Sequence, residues 1–287
     1  MTLVSGSARA CSTAATGHWT RPPEPSDRPT SPPPPHMARW TRRGFTAALL
    51  SAALARADVP AVVDRLRGSV LPVGTFNALD SPRFGFRGSG FVVDDGRALV
   101  TNLHVIAEGA STGTPQWAVL APRPAGGREP RLAAVERVDP VHDLALLRFE
   151  GAALPALQLA PVGTAREGMD VLLAGYPIGG VLGYSMVTHR GMLSSITSIA
   201  LPAPTAHQLS QRAVKQLREG PFPVYQLDAT AYPGNSGGPL VDARDGQVIG
   251  VVNMVLVRGT RESALTNPTG ITYAIPVRFV RELLEQQ

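Results

Sequence analysis

The sequence predicts an all-β protein built from many short strands and ending in a short helix. Three observations support this prediction. After residue 58, short runs rich in valine, leucine and isoleucine recur along the chain, turn residues interrupt these runs, and the 287 residues include 29 glycines and 27 prolines. Short strands joined by Gly/Pro-rich turns are typical of β-barrels and β-sandwiches.

A β-hairpin is the clearest single element. The stretch GSGFVVDDGRALVTN, residues 88–102, predicts a strand, an Asp-Asp-Gly turn and a second strand. A connector rich in small residues, 153–168, separates two groups of strands. We predict further strands at 69–76, 116–121, 131–138 and 143–149 before the connector, and at 171–174, 186–194, 224–228, 238–241, 247–256 and 270–275 after it.

Two segments have a helical pattern. Residues 277–287 predict a C-terminal helix packed against the body, because their apolar residues recur at helical spacing. These residues are Val277, Val280, Leu283 and Leu284. Residues 205–220 carry only a thin apolar stripe within an insertion, 198–223, and a solvated surface loop is the alternative interpretation.

The net charge is concentrated in the N-terminal leader. Residues 1–57 hold seven basic and two acidic residues, so they account for the whole formal charge of +5. The remaining body is neutral, so it lacks the excess of basic residues that is typical of nucleic-acid-binding proteins. The one cysteine, Cys11, also lies in the leader, and the sequence shows no clustered metal ligands. We therefore expect neither a metal nor another cofactor.

The leader itself has two parts. Residues 1–36 are proline-rich and predict a disordered extension, or a start codon assigned too early. Residues 37–57 are typical of a twin-arginine signal peptide, since Arg42 and Arg43 precede a short apolar run and an Ala-Arg-Ala cleavage site. This predicts export to the periplasm or another extracytoplasmic location in a bacterium, with no membrane segment in the mature form. An amphipathic terminal helix is the alternative.

Ser236, in the turn PGNSGG, is the candidate nucleophile. A serine hydroxyl needs a base to take its proton, and the base needs an orienting group. No histidine follows Ser236, so the Ser, acid, His order of the α/β-hydrolases does not fit. The order His, Asp, Ser remains, with His104 at the end of the hairpin and Asp143 where a polar turn enters an apolar strand. His142 is the weaker base, because on an extended chain it would point away from Asp143.

Six stretches of the chain carry a resemblance to a known family. They are GSGFVVDDGRALVTNLHVI, HDLALLRF, AGYPIGG, LDATAYPGNSGGPLV, GQVIGVV and GITYAIPV, in that order. Together they resemble the protease domain of the HtrA/Deg family, which belongs to the chymotrypsin-fold serine peptidases. The resemblance implies two antiparallel β-barrels of the chymotrypsin/trypsin type, at 58–160 and 161–287, with the active site in the cleft between them. No PDZ domain is expected, because few residues follow the last stretch.

The resemblance also assigns roles to individual residues. His104 is expected to be the general base, Asp143 its orienting acid and Ser236 the nucleophile. The backbone N–H groups of Gly234 and Ser236 are expected to form the oxyanion hole.

The primary specificity pocket is expected to lie beside the nucleophile. By the resemblance, Thr230 and Ala231 line it together with a later edge strand that includes Val252 and Asn253. No carboxylate lies in the first pair, so the sequence predicts small aliphatic residues, and not lysine or arginine, at the cleaved position.

The predicted function is a serine endopeptidase that acts on unfolded or exported polypeptides. The alternative is a dormant or inactive protease-like binding module, regulated through the 198–223 insertion. An esterase-type acyl hydrolase ranks last. Oligomers of the family often form through N-terminal segments of the protease domain. The resemblance is therefore compatible with a homo-oligomer of this chain.

Overall fold

The structure is a computed structural model and describes residues 58–107, 116–177, 179, 183–199, 222–253 and 270–286. Within these ranges the chain forms twelve strands and three helices. The first half contains α1 (Val59–Arg67), β1 (Val70–Phe76), β2 (Phe84–Val93), β3 (Ala98–Asn102), α2 (Leu103–Ala107), β4 (Gln116–Pro122), β5 (Arg128–Asp139) and β6 (Leu144–Phe149). The second half contains β7 (Asp170–Gly175), β8 (Val187–Ile199), β9 (Phe222–Asp228), β10 (Pro239–Asp242), β11 (Val248–Asn253), β12 (Ile271–Pro276) and α3 (Val277–Glu285).

Each half closes into an antiparallel barrel of six strands. The strand order is β1-β2-β3-β6-β5-β4 in barrel 1 and β10-β11-β12-β9-β8-β7 in barrel 2. Pairing of β1 with β4, and of β10 with β7, closes the two sheets. The all-β prediction of two antiparallel barrels is confirmed. The predicted boundary at residues 160 and 161 falls within the segment 150–169 that joins β6 to β7.

The largest apolar cluster lies between the barrels and not inside either of them. It joins Phe91 of barrel 1 to Leu172 of barrel 2, and both side chains are at most 1% exposed. Smaller clusters fill the barrels themselves, around Leu99 in barrel 1 and Leu173 in barrel 2. Because apolar burial is the main favourable contribution to folding, the docking of the two barrels is part of the fold.

The predicted hairpin is present as β2 and β3. Asp94 and Gly96 adopt positive φ angles of 55° and 81° in its turn, and Asp95 Oδ1 accepts a hydrogen bond from Arg97 N at 3.0 Å. A short polar side chain and a glycine are the residue types that adopt this backbone conformation most readily. The sequence therefore specified both the turn and the strands on either side.

Helix α1 was not predicted from the sequence. Pro60 lies in its first turn, where no backbone hydrogen bond is lost, and Val62 and Leu66 are buried four residues apart. Nine residues form only a short helix, which is marginal in isolation. Its stability depends on packing of these two side chains into the cluster between the barrels.

Strands β5 and β8 run further than predicted. β5 covers residues 128–139 and β8 covers 187–199, and the pairing register shifts once along each of them. Such an irregularity interrupts the alternation of inward and outward residues on which a sequence-based prediction of strand length depends. Most of the predicted insertion 198–223, including the helix predicted at 205–220, lies outside the described residues.

Helix α3 confirms the predicted C-terminal helix. Val277, Phe279, Val280 and Leu283 are buried on one side of it. Arg137 of β5 donates through Nη1 to Leu284 O at 2.8 Å, which ties the end of the helix to barrel 1. None of the helices in the described ranges is long and apolar enough to cross a membrane.

Candidate active site

His104 lies on the short helix α2, which follows β3 directly. The sequence predicted a base at the end of a strand, and the structure places it two residues beyond that end. Val105 and Ile106 are buried beside it and anchor the helix to barrel 1. The imidazole is therefore held by a packed element, and its side chain is 13% exposed.

Asp143 lies in the tight turn between β5 and β6. Its φ angle is +58°, a conformation that few residues other than glycine adopt but that aspartate tolerates. Its backbone oxygen accepts hydrogen bonds from Leu103 N and from Asn102 Nδ2, both at 3.0 Å. These bonds fix the turn against the start of α2, so the carboxylate is placed directly beside His104.

The carboxylate of Asp143 binds both the ring and the backbone of His104. Asp143 Oδ2 lies 2.6 Å from His104 Nδ1, and Asp143 Oδ1 accepts from His104 N at 3.0 Å. An acceptor at Nδ1 favours the tautomer with its proton there, which leaves the lone pair on Nε2. The imidazole is thus oriented to accept a proton at Nε2.

A third residue, Asn253 at the end of β11, completes this arrangement. Its Nδ2 donates to Asp143 Oδ2 at 2.9 Å, and the side chains of both residues are buried. The sequence predicted Asn253 as a pocket residue and missed this contact. The two positions are 110 residues apart, so no local pattern pointed to it.

Ser236 lies in the turn between β9 and β10, and it is 6% exposed. Glycines on either side permit this turn. Gly234 and Gly237 have φ angles of +105° and +84°, and a Cβ at Gly237 would lie 2.2 Å from Ser89 O. The turn also approaches the helix that carries His104. A Cβ at Gly88 would meet Val105 Cγ2 at 2.8 Å and Ser236 O at 3.1 Å.

Hydrogen bonds within the turn orient its peptide planes. Gly238 N donates to Asn235 O at 3.0 Å, and Gly237 N donates to Val252 O at 2.9 Å. In a trans peptide the C=O and the following N–H point in opposite directions. The bond at Asn235 O therefore directs the N–H of Ser236 away from Gly238, as an oxyanion donor at this position requires.

Among the described residues, the side chain of Asn235 lacks the hydrogen bonds that a buried amide normally makes. It is fully buried, and neither Oδ1 nor Nδ2 has a hydrogen-bond partner in the part of the chain that the structure describes. A buried amide that lacks partners costs about 1–3 kcal/mol. The turn is thus built around a polar group whose hydrogen bonding is incomplete.

The predicted pocket residues lie on two adjoining segments. Ala231 is buried and Thr230 is half-buried, and both follow β9 directly. Val252 is fully buried in the core of barrel 2, and its N–H donates to Gly238 O at 2.9 Å. Its role and that of Asn253 in substrate binding stay predictions.

His189 of β8 lies beside the same segment and was not assigned a role from the sequence. Its ring centroid is 5.9 Å from that of Tyr232, and its Nε2 is buried without a partner among the described residues. Burial lowers the pKa of His189 below its ordinary value, so the ring is neutral at pH 7.

A second His–Asp pair lies next to the first but does not join it. His142 Nδ1 is 2.5 Å from Asp139 Oδ2, and its ring stacks on Phe279 of α3 with the centroids 3.6 Å apart. That His142 is the weaker base stays a prediction. Among the predicted residues, the structure joins His104, Asp143 and Asn253 by hydrogen bonds and places Gly234 and Ser236 in one turn.

Comparisons with known proteins identify the family. The family model for the trypsin-like peptidase domain matches residues 88–251. The mitochondrial serine protease HTRA2 of Drosophila pseudoobscura pseudoobscura is 32% identical over 201 residues, which are 69% of this chain and 38% of that protein. The chain thus spans less than half the length of this relative.

Solved structures of similar fold agree with this assignment. The HtrA-type protease AlgW with decapeptide has a TM-score of 0.57 and 24% identity, covering 79% of this chain and 66% of that chain, a likeness that shows the fold alone. Deg5 has a TM-score of 0.54 and 26% identity, covering 78% of this chain and 90% of that chain. Since the family model spans more than half of the 287 residues, the chain belongs to the trypsin-like peptidase family, and the 32% identity to HTRA2 over 69% of the chain makes it an HtrA/Deg-like member.

Proposed function

We propose that this chain is a serine endopeptidase that hydrolyses peptide bonds through an acyl-enzyme. The observation that carries the proposal is the pairing of His104 Nδ1 with Asp143 Oδ2 at 2.6 Å, which presents Nε2 as a base. Ser236 is the nucleophile, in a glycine-bounded turn beside the helix that carries His104.

In the first step His104 Nε2 takes the proton of Ser236 Oγ while Oγ attacks the scissile carbonyl carbon. The imidazolium then gives this proton to the leaving amine as the C–N bond breaks. A water molecule, deprotonated by the same nitrogen, hydrolyses the acyl-enzyme and regenerates Ser236. Asp143 stays ionised throughout and stabilises the imidazolium.

The N–H groups of Gly234 and Ser236 are the proposed oxyanion donors. The hydrogen bond from Gly238 N to Asn235 O supports this role for Ser236, because it sets the direction of the Ser236 N–H. In enzymes of this kind the loss of one such donor lowers kcat by about 10²–10³-fold.

Reaction of the full-length protein with a fluorophosphonate probe tests the activity. Ser236→Ala and His104→Ala should both abolish labelling, because one removes the nucleophile and the other its base. His142→Gln is the matched control, since it alters the neighbouring histidine that is paired with Asp139. Equal labelling of His104→Ala and wild-type protein would contradict the assignment of the base.

For the cleaved position we propose small aliphatic residues, such as valine or alanine. Ala229 and Ala231 are buried on the segment before the turn. The hydroxyl of Thr272 donates to Ala229 O at 2.6 Å, so it does not offer this donor to a polar substrate side chain. A library of peptides that differ at the cleaved position should give the highest kcat/KM with valine or alanine. A strong preference for arginine would overturn this assignment.

A dormant protease-like binding module is the second candidate. The observation that favours it is the buried side chain of Asn235, which lacks hydrogen-bond partners within the described part of the turn. In that case the folded wild-type protein binds a polypeptide but does not react with the probe. Retention of a fluorescent unfolded protein on the full-length chain, without cleavage products, would distinguish this candidate from an active peptidase.

We further propose that the substrates are unfolded or exported proteins, met outside the cytoplasm. The signal-like segment 37–57 supports this location. Replacement of Arg42 and Arg43 by lysine should retain a fused reporter in the cytoplasm. Export of that variant at the wild-type level would contradict a twin-arginine route.

A further inference from the structure

Ser89 of β2 makes four hydrogen bonds around the nucleophile turn, although it belongs to the other barrel. Its N donates to Ser236 O at 2.9 Å, and its Oγ donates to Gly234 O at 2.6 Å. The same Oγ accepts from Tyr176 N at 2.9 Å, and Ser89 O accepts from Thr101 Oγ1 at 2.7 Å. Ser89 is fully buried.

We infer that Ser89 is a positioning residue that holds the oxyanion turn of barrel 2 in its productive geometry from barrel 1. The inference rests on the proposed peptidase function. Ser89 itself does not contact the reacting atoms in this assignment, because it acts through the peptides of Gly234 and Ser236.

The first part of the argument concerns the peptide that joins Gly234 to Asn235. Its C=O accepts from Ser89 Oγ, while its N–H donates to Tyr232 O at 3.0 Å. A planar peptide held at both ends cannot rotate about its long axis. This matters at Gly234 because a glycine populates widely different φ angles at little cost, so nothing in the residue itself selects φ = +105°.

The second part concerns Ser236. Ser89 N binds Ser236 O, and the next N–H, that of Gly237, binds Val252 O. The peptide after the nucleophile is therefore also held from both barrels. One residue of barrel 1 thus fixes the peptide that lies between the two proposed donor peptides and the peptide that follows the second of them.

A serine meets these requirements better than other small residues. Its hydroxyl donates to Gly234 O and accepts from Tyr176 N at the same time, which alanine and glycine cannot do. The surroundings of this hydroxyl are close-packed, since a Cβ at Gly175 would lie 2.9 Å from Ser89 Oγ.

Kinetics of Ser89→Ala in the full-length protein test the inference. We expect kcat to fall about 10–100-fold with KM changed less than about threefold. Displacing an oxyanion donor removes only part of the transition-state stabilisation that deleting the donor would remove. Ser69→Ala is the matched control. Ser69 is also a buried serine, directly before β1, and its Oγ donates to Arg65 O of α1 at 3.3 Å. It should leave kcat and KM unchanged.

A tetrahedral inhibitor separates positioning from a general loss of structure. A peptide boronic acid forms an adduct whose oxygen occupies the oxyanion position, so its Ki should rise by the same factor by which kcat/KM falls in Ser89→Ala. The Ki of the corresponding product peptide should stay unchanged. Equal rises in both Ki values would indicate a structural effect and overturn the inference.

Two further variants cover the case in which Ser89→Ala does not fold. Ser89→Cys retains a weak donor and should recover part of the lost kcat. Gly175→Ala leaves Ser89 intact but places a methyl group 2.9 Å from its Oγ and 2.8 Å from Oδ1 of Asn235 in the turn, so it should reproduce the loss. Wild-type protein that does not label with fluorophosphonate would overturn the function and the inference together. If wild-type protein labels and both Ser89→Ala and Gly175→Ala retain the wild-type kcat, the inference about Ser89 is wrong but the proposed function stands.

Discussion

Replacement of Asn253 distinguishes the role indicated by its contacts from the pocket role predicted by the sequence. The side chain is 1% exposed and donates to a carboxylate that is itself 3% exposed, over 2.9 Å. A hydrogen bond to a charged group contributes about 1.5–3 kcal/mol. Asp143 retains its two contacts with His104 when this bond is lost, so the pair should loosen and not separate.

If the full value of the bond is used to align Asp143 in the transition state, kcat should fall by about 10- to 100-fold. KM should remain within about twofold, because Asn253 would then act through Asp143 and not on the substrate. The assay is steady-state cleavage of a valine-containing peptide by Asn253→Ala and Asn253→Leu. Neither alanine nor leucine has a hydrogen-bond donor, so the two variants should lose kcat equally.

The pocket role leads to a different result. If Asn253 lined the specificity pocket, alanine would enlarge the pocket and leucine would fill it. The two variants would then shift KM and the preferred residue in opposite directions. That outcome, with kcat near the wild-type value, would refute the assignment of Asn253 to Asp143.

Two further predictions concern stability. Gly237→Ala should lower Tm by more than Gly163→Ala in thermal melts followed by circular dichroism. Both glycines have φ = +84°, so both variants strain the backbone. A Cβ at Gly163 meets nothing within 4 Å, whereas one at Gly237 meets Ser89 O at 2.2 Å. Equal losses, each of about 1–2 kcal/mol from backbone strain alone, would show that the turn relaxes freely. Burial raises the pKa of Asp139, but hydrogen bonds and the charge of His142 outweigh it and lower the pKa below 3.8. The ionised carboxylate therefore stabilises the folded state above pH 3.8, and this stabilisation is lost as the pH falls through the lowered pKa. In urea melts, the free energy of unfolding of Asp139→Asn should depend less on pH in this acidic range than that of wild type. Parallel curves for the two proteins would contradict this prediction.

Much of the fold could be predicted because its signals are local. The hairpin of β2 and β3 is encoded by two short apolar runs around an Asp-Asp-Gly turn, and α3 by helical spacing. Helix α1 was missed because its nine residues carry only two buried side chains, Val62 and Leu66, and their partners come from distant strands.

The residues of the proposed site could be named from the sequence, but the residues that support them could not. Chain order and the glycine-rich turn pointed to His104, Asp143 and Ser236. The contacts of Ser89 with Gly234 and of Asn253 with Asp143 cross 145 and 110 residues. Such contacts depend on how two closed barrels dock, which no local pattern of the sequence specifies.

The position of β12 has a consequence for biosynthesis. It follows β11 in the chain, yet it lies between β9 and β11, so barrel 2 cannot close until residues 271–276 have left the ribosome. Helix α3 follows and packs Phe279 onto His142, beside the turn that carries Asp143. A growing chain therefore carries the proposed nucleophile and base long before they can be assembled. For a chain proposed to cut polypeptides, the order of synthesis delays the chemistry until β12 has been made.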